Sequence, residues 1–172
     1  DRPPPAPEQP VLATEAVQVR TVEELVQAFR NNRVRQIIVH PGIYDLSRWR
    51  EPLIARMNHL EIVGMETGES RIRLRASSTM AIDAPPRAGT LTIQAETFSA
   101  RRISWEIVPG EAEEAAELEE GESGPAGLVL KEVHKAQFQD CIFRTRVPPE
   151  HQGATLVCLA GDKPPQLHLE RC

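Results

Sequence analysis

The apolar positions along this chain leave a period of two once, for a single helical stretch. From Thr21 onward Val22, Leu25, Val26 and Phe29 recur at i, i+3, i+4 and i+7, which sets them on one face of a helix while Glu23, Gln27 and Arg30 fall elsewhere. Thr21 and Glu24 have the spacing of a capping box, with the hydroxyl serving the N3 amide and the carboxylate returning to the cap amide, so a helix is predicted over Thr21 to Arg30. Ahead of it Val17 and Val19 alternate with polar residues as a short strand does. Behind it the period is two throughout. Ile37-Ile38-Val39 stops at Pro41-Gly42, Leu60-Glu61-Ile62-Val63 stops at Gly64, and Ile72 and Leu74 alternate with Arg71, Arg73 and Arg75. Met80 and Ile82, Leu91 and Ile93, Ile103, Trp105 and Ile107, Leu128 and Leu130, Leu156 and Cys158, and Leu167 and Leu169 continue the alternation. No second helix of comparable quality is predicted.

Many short strands serve two architectures: a sandwich or barrel of hairpins, or a solenoid whose coils stack one on the next. No Asn-Gly or Asp-Gly pair separates two strands, so hairpins are poorly signalled. Repeats are better signalled. Phe138-Gln139-Asp140-Cys141 returns as Leu169-Glu170-Arg171-Cys172 at an offset of 31 residues, and at an offset of 38 Ala100, Ile103 and Trp105 fall on Phe138, Cys141 and Phe143. Such offsets fit β-helix coils of roughly 20 to 30 residues enlarged by loops of unequal length.

Thr21 to Leu46, with Thr-Val-Glu-Glu-Leu-Val-Gln-Ala-Phe and then Ile-Ile-Val-His-Pro-Gly-Ile-Tyr-Asp-Leu, resembles the entry of right-handed parallel β-helix proteins of the pectin lyase-like superfamily. There an amphipathic helix plugs the first coil and a Pro-Gly-x-Tyr turn follows the first strand. Leu60-Glu61-Ile62-Val63-Gly64 resembles the second-coil strand and its glycine turn, so the likeness spans residues 17 to 75. It implies an all-β fold, a right-handed parallel β-helix (solenoid) over residues 17–172 with an N-terminal capping α-helix. An extracellular or cell-surface location is implied by the resemblance alone. No single activity is implied, because the superfamily holds lyases, hydrolases, phage tailspikes and binding modules. The chain departs from the family in having asparagine only at Asn31, Asn32 and Asn58, so a stacked asparagine ladder cannot form and apolar and sulfur-containing residues are expected inside. A solenoid needs cover at both ends. Because Cys172 follows directly on a Leu-x-Leu strand, the domain is expected to be truncated at its C-terminal end, with a further domain of the same chain or a second copy covering the last coil.

Composition narrows the function classes. With 40% hydrophobic and 26% charged residues in 172, the chain is of ordinary globular type. No run approaches the roughly 18 apolar residues of a membrane span, so no membrane insertion is expected. Residues 1–16 begin Asp1-Arg2-Pro3-Pro4-Pro5-Ala6-Pro7-Glu8-Gln9-Pro10 and are expected to form a proline-rich linker. Twenty basic against 25 acidic residues, a formal net charge of −5, argue against nucleic acid bound by phosphate neutralisation. Residues 110–124 hold seven of the glutamates between flanking glycines, without EF-hand spacing, and read as a solvated acidic insertion. The three cysteines, Cys141, Cys158 and Cys172, cannot all pair within one chain and show no C-x-x-C spacing. Cys141 and Cys158 lie in apolar surroundings where a free thiol behaves as a small hydrophobe.

Hydrolysis of a glycosidic bond needs two carboxylates roughly 5 to 9 Å apart. Asp45, Asp83, Asp140 and Asp162 are isolated from one another and read as turn residues accepting local hydrogen bonds, and the chain offers no calcium nest with an arginine base. His40, His59, His134, His151 and His168 lack metal-ligand spacing, and there is no G-x-S-x-G elbow or P-loop. No catalytic residue, metal site or cofactor is expected. The strongest positive signal is Arg71-Ile72-Arg73-Leu74-Arg75. With Ile72 and Leu74 inward, three guanidinium groups emerge on one outer face about 6.5 to 7 Å apart. Such a row suits an acidic polysaccharide, and Lys131, Arg144 or Arg146 would extend it on neighbouring coils. The alternative is a solvated strand face whose charges deter edge pairing. Trp49, between Arg48 and Arg50, is either a platform for a sugar ring or a lid on the core, and Trp105 is interior. The expected function is a binding or scaffold module for an acidic polysaccharide or another extracellular polymer, with Arg71, Arg73, Arg75 and Trp49 as contacts. Two alternatives stand beside it: a fragment of a polysaccharide lyase or glycoside hydrolase, and an accessory sensor or spacer domain of a larger membrane-anchored or signalling protein.

Overall fold

The capping box predicted at Thr21 is formed: Thr21 Oγ1 accepts from the Glu24 amide at 3.2 Å, and the Glu24 carboxylate accepts from the Thr21 amide at 3.3 Å. The structure, a computed structural model, describes residues 15–75, 89–108, 126–145, 155–160 and 166–172. Helix α1 (Val22–Arg30) buries Leu25, Val26 and Phe29 of the face read from the spacing, adds Ala28 to it, leaves Val22 only partly buried, and packs against β1 (Glu15–Val19). The strands that follow come in groups of three: β2 (Val34–Val39), β3 (Gly42–Asp45) and β4 (Leu53–Arg56); β5 (His59–Gly64), β6 (Ser70–Arg75) and β7 (Leu91–Gln94). They continue with β8 (Thr97–Arg101), β9 (Ile103–Val108) and β10 (Ala126–Lys131); β11 (Lys135–Gln139), β12 (Ile142–Thr145) and β13 (Thr155–Ala160); and finally β14 (Gln166–Glu170).

Each group gives one strand to each of three sheets, ordered β1-β2-β5-β8-β11-β14, β3-β6-β9-β12 and β4-β7-β10-β13. The helix separates β1 from β2; beyond it every pairing joins a strand to the one three places later, and each is parallel. A parallel pair cannot be closed by a two-residue hairpin, which is why Asn-Gly and Asp-Gly turns are missing from the sequence. Among the described residues the fold is therefore strand-dominated, with one helix and three parallel sheets.

The repeat offsets are the registers of these sheets. Phe138 pairs with Leu169 and Gln139 with Glu170; Ala100 pairs with Phe138, and Trp105 with Phe143. Side chains in register form interior columns, Ile37–Ile62–Ala100–Phe138 in one sheet, Tyr44–Ile72–Trp105 in the second and Leu53–Leu91–Leu128 in the third, all shielded from solvent. Phe98, Phe138 and Phe143 meet edge to face, with ring centroids 5.6 and 5.4 Å apart. Trp105 is interior as expected, and so is Cys141, whose thiol donates to the Ala100 carbonyl at 3.4 Å.

Several details differ from the sequence reading. Strand β1 starts at Glu15, two residues inside the expected linker. Strands β3, β4, β8 and β11 were not predicted, because β3 buries only Tyr44 and one of the two inward residues of β4, β8 and β11 is a small alanine. In β13 the backbone register pairs Val157 with Leu128 and Cys158 with Val129. Leu167 and Leu169 continue interior columns yet are 46% and 56% exposed, since β14 is paired on one side only. Residues 1–14, Met80, Ile82, Asp83, Arg146, His151, Asp162 and the acidic stretch 110–124 lie outside the described residues.

Candidate functional site

On β6 the alternation holds: Ser70, Ile72 and Leu74 are buried, and Arg71, Arg73 and Arg75 are half-buried on the outer face. What the sequence did not reveal is their company. The register sets Asp45, Arg73, Glu106 and Arg144 side by side across β3, β6, β9 and β12, a column of alternating sign. Arg73 reaches Glu106 at 3.3 Å and Asp45 at 3.5 Å, and Arg71 reaches Glu69 at 3.1 Å and Glu106 at 3.5 Å. Arg144 closes the network on Glu69 at 2.9 Å. A hydrogen bond from Ser104, reinforced by Arg71 and Arg144 against the cost of desolvation, holds the Glu69 carboxyl below its usual range. A polyanion approaching Arg71 and Arg73 would have to displace these carboxylates. Trp49 lies partly buried against the core.

Of the four isolated aspartates two are described, one with a local bond and one with a distant partner. Asp45 accepts from the Ser47 amide at 3.1 Å, and Asp140 is paired with Arg171. Among the described residues no group of three or more histidine, cysteine or acidic side chains is placed to hold a metal ion. Burial pushes the Cys141 thiol up to about 11, which keeps it protonated and a poor nucleophile at neutral pH.

A different feature gathers unengaged charge. Between the third strand of one group and the first of the next the chain turns through short corners: Met57-Asn58 after β4, Ala95-Glu96 after β7, and Glu132-Val133-His134 after β10. Hydrogen bonds between successive corners tie them together, from the Met57 amide to Gln94 O (3.1 Å), from Thr97 to Asn58 O (3.1 Å) and from His134 to Glu96 O (3.0 Å). Met57, Ala95 and Val133 are buried behind them. Outside runs an open groove of about 1410 Å³.

Register fixes what stands on each side of the groove. On one side Arg56, Gln94 and Lys131 are neighbours on β4, β7 and β10; on the other stand His59 on β5 and Lys135 on β11, the strands on either side of β8. Arg35, on β2, joins from one end. Among the described residues none of Arg35, Arg56, Lys131 and Lys135 forms an ion pair. The acids of the groove are Glu96 and Glu132, and the latter accepts a hydrogen bond from Gln94 Nε2 at 2.8 Å.

None of Arg71, Arg73, Arg75 or Trp49 lines this groove. Of the residues expected to extend the arginine row, Arg144 shares its sheet, whereas Lys131 belongs to the groove on another sheet. Arg35, Arg56 and Lys135 were missed because they are scattered in sequence; the available signal was that Arg56 and Lys131 each close a strand just before a short corner. No family model, no curated protein and no solved structure matches this chain.

Proposed function

We propose that this chain is a binding module for an acidic polysaccharide, built as a right-handed parallel β-helix of the pectin lyase-like kind, and that the polymer lies in the corner groove. The architecture is supported by the pairing of each strand with the one three places on, by the three-sheet cycle, and by the helix packed at the β1 end. The binding reading rests on one observation above all: Arg35, Arg56, Lys131 and Lys135 converge on the groove without an ionic partner among the described residues, whereas Arg71 and Arg73 are engaged by Glu69, Glu106 and Asp45. Arginine forks suit carboxylate or sulfate groups, lysines add adaptable point charges, and the carboxamides of Asn58 and Gln94 offer hydrogen bonds to hydroxyls. Electrostatic steering of a polyanion survives the overall acidity, because seven of the acidic residues sit in the 110–124 stretch and the rest of the chain carries a slight excess of base.

The test is retention on an immobilised acidic polysaccharide at low salt. The double substitution Arg56→Gln, Lys131→Gln is expected to lower affinity by about tenfold or more, since each lost contact to an anion is worth on the order of 1 kcal/mol. Arg71→Gln is expected to leave affinity nearly unchanged. Loss with Arg71→Gln and none with the double variant would move the site back to the arginine row, and no retention of the unmodified chain would end the proposal.

A further inference from the structure

Cys141 and Cys172 repeat one arrangement a layer apart. The Cys141 thiol faces the carbonyls of Ala100 at 3.4 Å and Gln139 at 3.5 Å, and the Cys172 thiol faces those of Phe138 and Glu170, each at 3.4 Å. Ala100 pairs with Phe138 and Gln139 with Glu170, so the acceptors of the second thiol are those of the first moved one strand along the stack. The residues between agree. The Asp140 amide donates to the Glu170 carbonyl at 2.9 Å, Asp140 and Arg171 share the left-handed conformation at φ 52 and 51, and Arg171 Nη2 donates to Asp140 Oδ2 at 3.0 Å. The register therefore carries on past the strand ends and sets Cys172 over Cys141 at about one strand spacing, roughly 4.8 Å. Burial, and with it the nearness of Cys172, pushes the Cys141 thiol up.

We propose that Cys141 and Cys172 are a dithiol site that closes to a disulfide by exchange with a small-molecule disulfide such as oxidised glutathione, fastening β14 to β11. One strand spacing falls inside the Cα span of a disulfide, roughly 4.4 to 6.8 Å. The Cβ atoms have to approach by less than about 1 Å more, and β14, paired on one side only, can lean that far without breaking a second ladder. Exposure sets the order of events, since Cys172 is exposed and Cys141 buried. The Cys172 thiolate attacks one sulfur of the glutathione disulfide and expels one glutathione thiolate. Cys141 then loses its proton, and its sulfur displaces the second glutathione from Cys172 Sγ. Two protein thiols are oxidised by two electrons, one glutathione disulfide is reduced to two thiols, and the protons of the protein thiols pass to the departing glutathione thiolates. The poorly ionised Cys141 makes the second step the slow one.

Incubating the folded, reduced chain with oxidised glutathione, quenching with acid, and reading intact mass and unreduced peptide maps tests this. Expected are a transient adduct of one glutathione on Cys172 and its decay to a chain lighter by two hydrogens, with Cys141 linked to Cys172. Cys172→Ser is expected to form no internal link. The oxidised chain is expected to unfold at a higher urea concentration than the reduced one, and to lose that gain when dithiothreitol is added. An adduct that persists on Cys172, a link that runs through Cys158, or a chain that stays reduced overturns the dithiol site. A Cys141–Cys172 link that leaves the urea midpoint unmoved overturns the fastening of β14.

Discussion

Arg73 Nε lies 3.3 Å from the carboxylate of Glu106, its in-register neighbour on the next strand, and only 1% of that glutamate side chain is exposed. The pair stands on the outer face of β6 and β9, with Arg71 as a second cation within 3.5 Å. A carboxylate this deeply buried depends on the polar groups around it, so withdrawing the Arg73 guanidinium weakens the compensation of a charge that water does not reach. Replacing Arg73 by Met is expected to destabilise the fold by about 3 kcal/mol. Urea unfolding of the variant checks this; a loss within about 0.5 kcal/mol, the range of ordinary surface changes, would show that the pair carries little.

Gly64 ends β5 where a Cβ would stand 2.0 Å from the Arg102 carbonyl oxygen of the next group. Arg102 in turn sits at φ 55 and donates from Nε to the Gly64 carbonyl at 3.0 Å. Both partners in the clash are backbone, so neither can swing aside. Gly64→Ala is therefore expected to cost more than about 2 kcal/mol or to prevent folding, a larger effect than a typical point substitution. Thermal denaturation, or soluble yield if the variant does not fold, gives the answer.

Asp140, at φ 52, is paired with Arg171 one group on, where Nη2 approaches Oδ2 at 3.0 Å. Hydrogen bonding from Arg171, partly offset by desolvation and helped by the charges of Arg171, Arg102 and Arg101, holds its carboxyl below the ordinary aspartate value. A lowered folded-state pKa means that the ion pair's contribution is present above the unfolded value of about 3.9 and is lost as pH falls through the folded one. Asp140→Asn should thus be less stable than the unmodified chain at pH 6, with the gap closing on acidification below about pH 4. Parallel stability curves at pH 6 and pH 2 would refute this if the gap stayed constant.

Cys172 repeats the bond of Cys141 one group later, donating to the Phe138 carbonyl at 3.4 Å, but it is exposed. With its thiol raised to about 11 by burial, Cys141 is expected to resist iodoacetamide in the folded protein at pH 8, while Cys172 is alkylated. Peptide mass mapping before and after denaturation distinguishes the two. Comparable labelling of Cys141 in the native state would mean that its layer opens readily.

The sequence exposed those parts of the fold in which a local pattern repeats. Thr21 and Glu24 announce the helix because a capping box is written within four residues, and the Phe138 and Leu169 segments announce their pairing because the same types recur at the repeat offset. Strands such as Leu53–Arg56 and Lys135–Gln139 escaped because an alanine at an inward position weakens the alternation. The candidate site was harder still. Arg73 is visible as a charge on a strand face, but its acids lie 28 and 33 residues away, and only strand register reveals that the row is partnered. Arg56 and Lys131 are likewise ordinary strand-end cations until stacking brings them into one column.

Strand pairing in steps of three also has a mechanical meaning. Each strand is hydrogen-bonded only to the layers just below and just above it, so no contact in the sheets clamps the first layer directly to the last. Tension applied at Cys172 would peel β14 from β11 without disturbing β2 or β5, and would then meet the next layer afresh. Stretching a single molecule should therefore give a series of modest rupture peaks, one per layer, in place of a single catastrophic break.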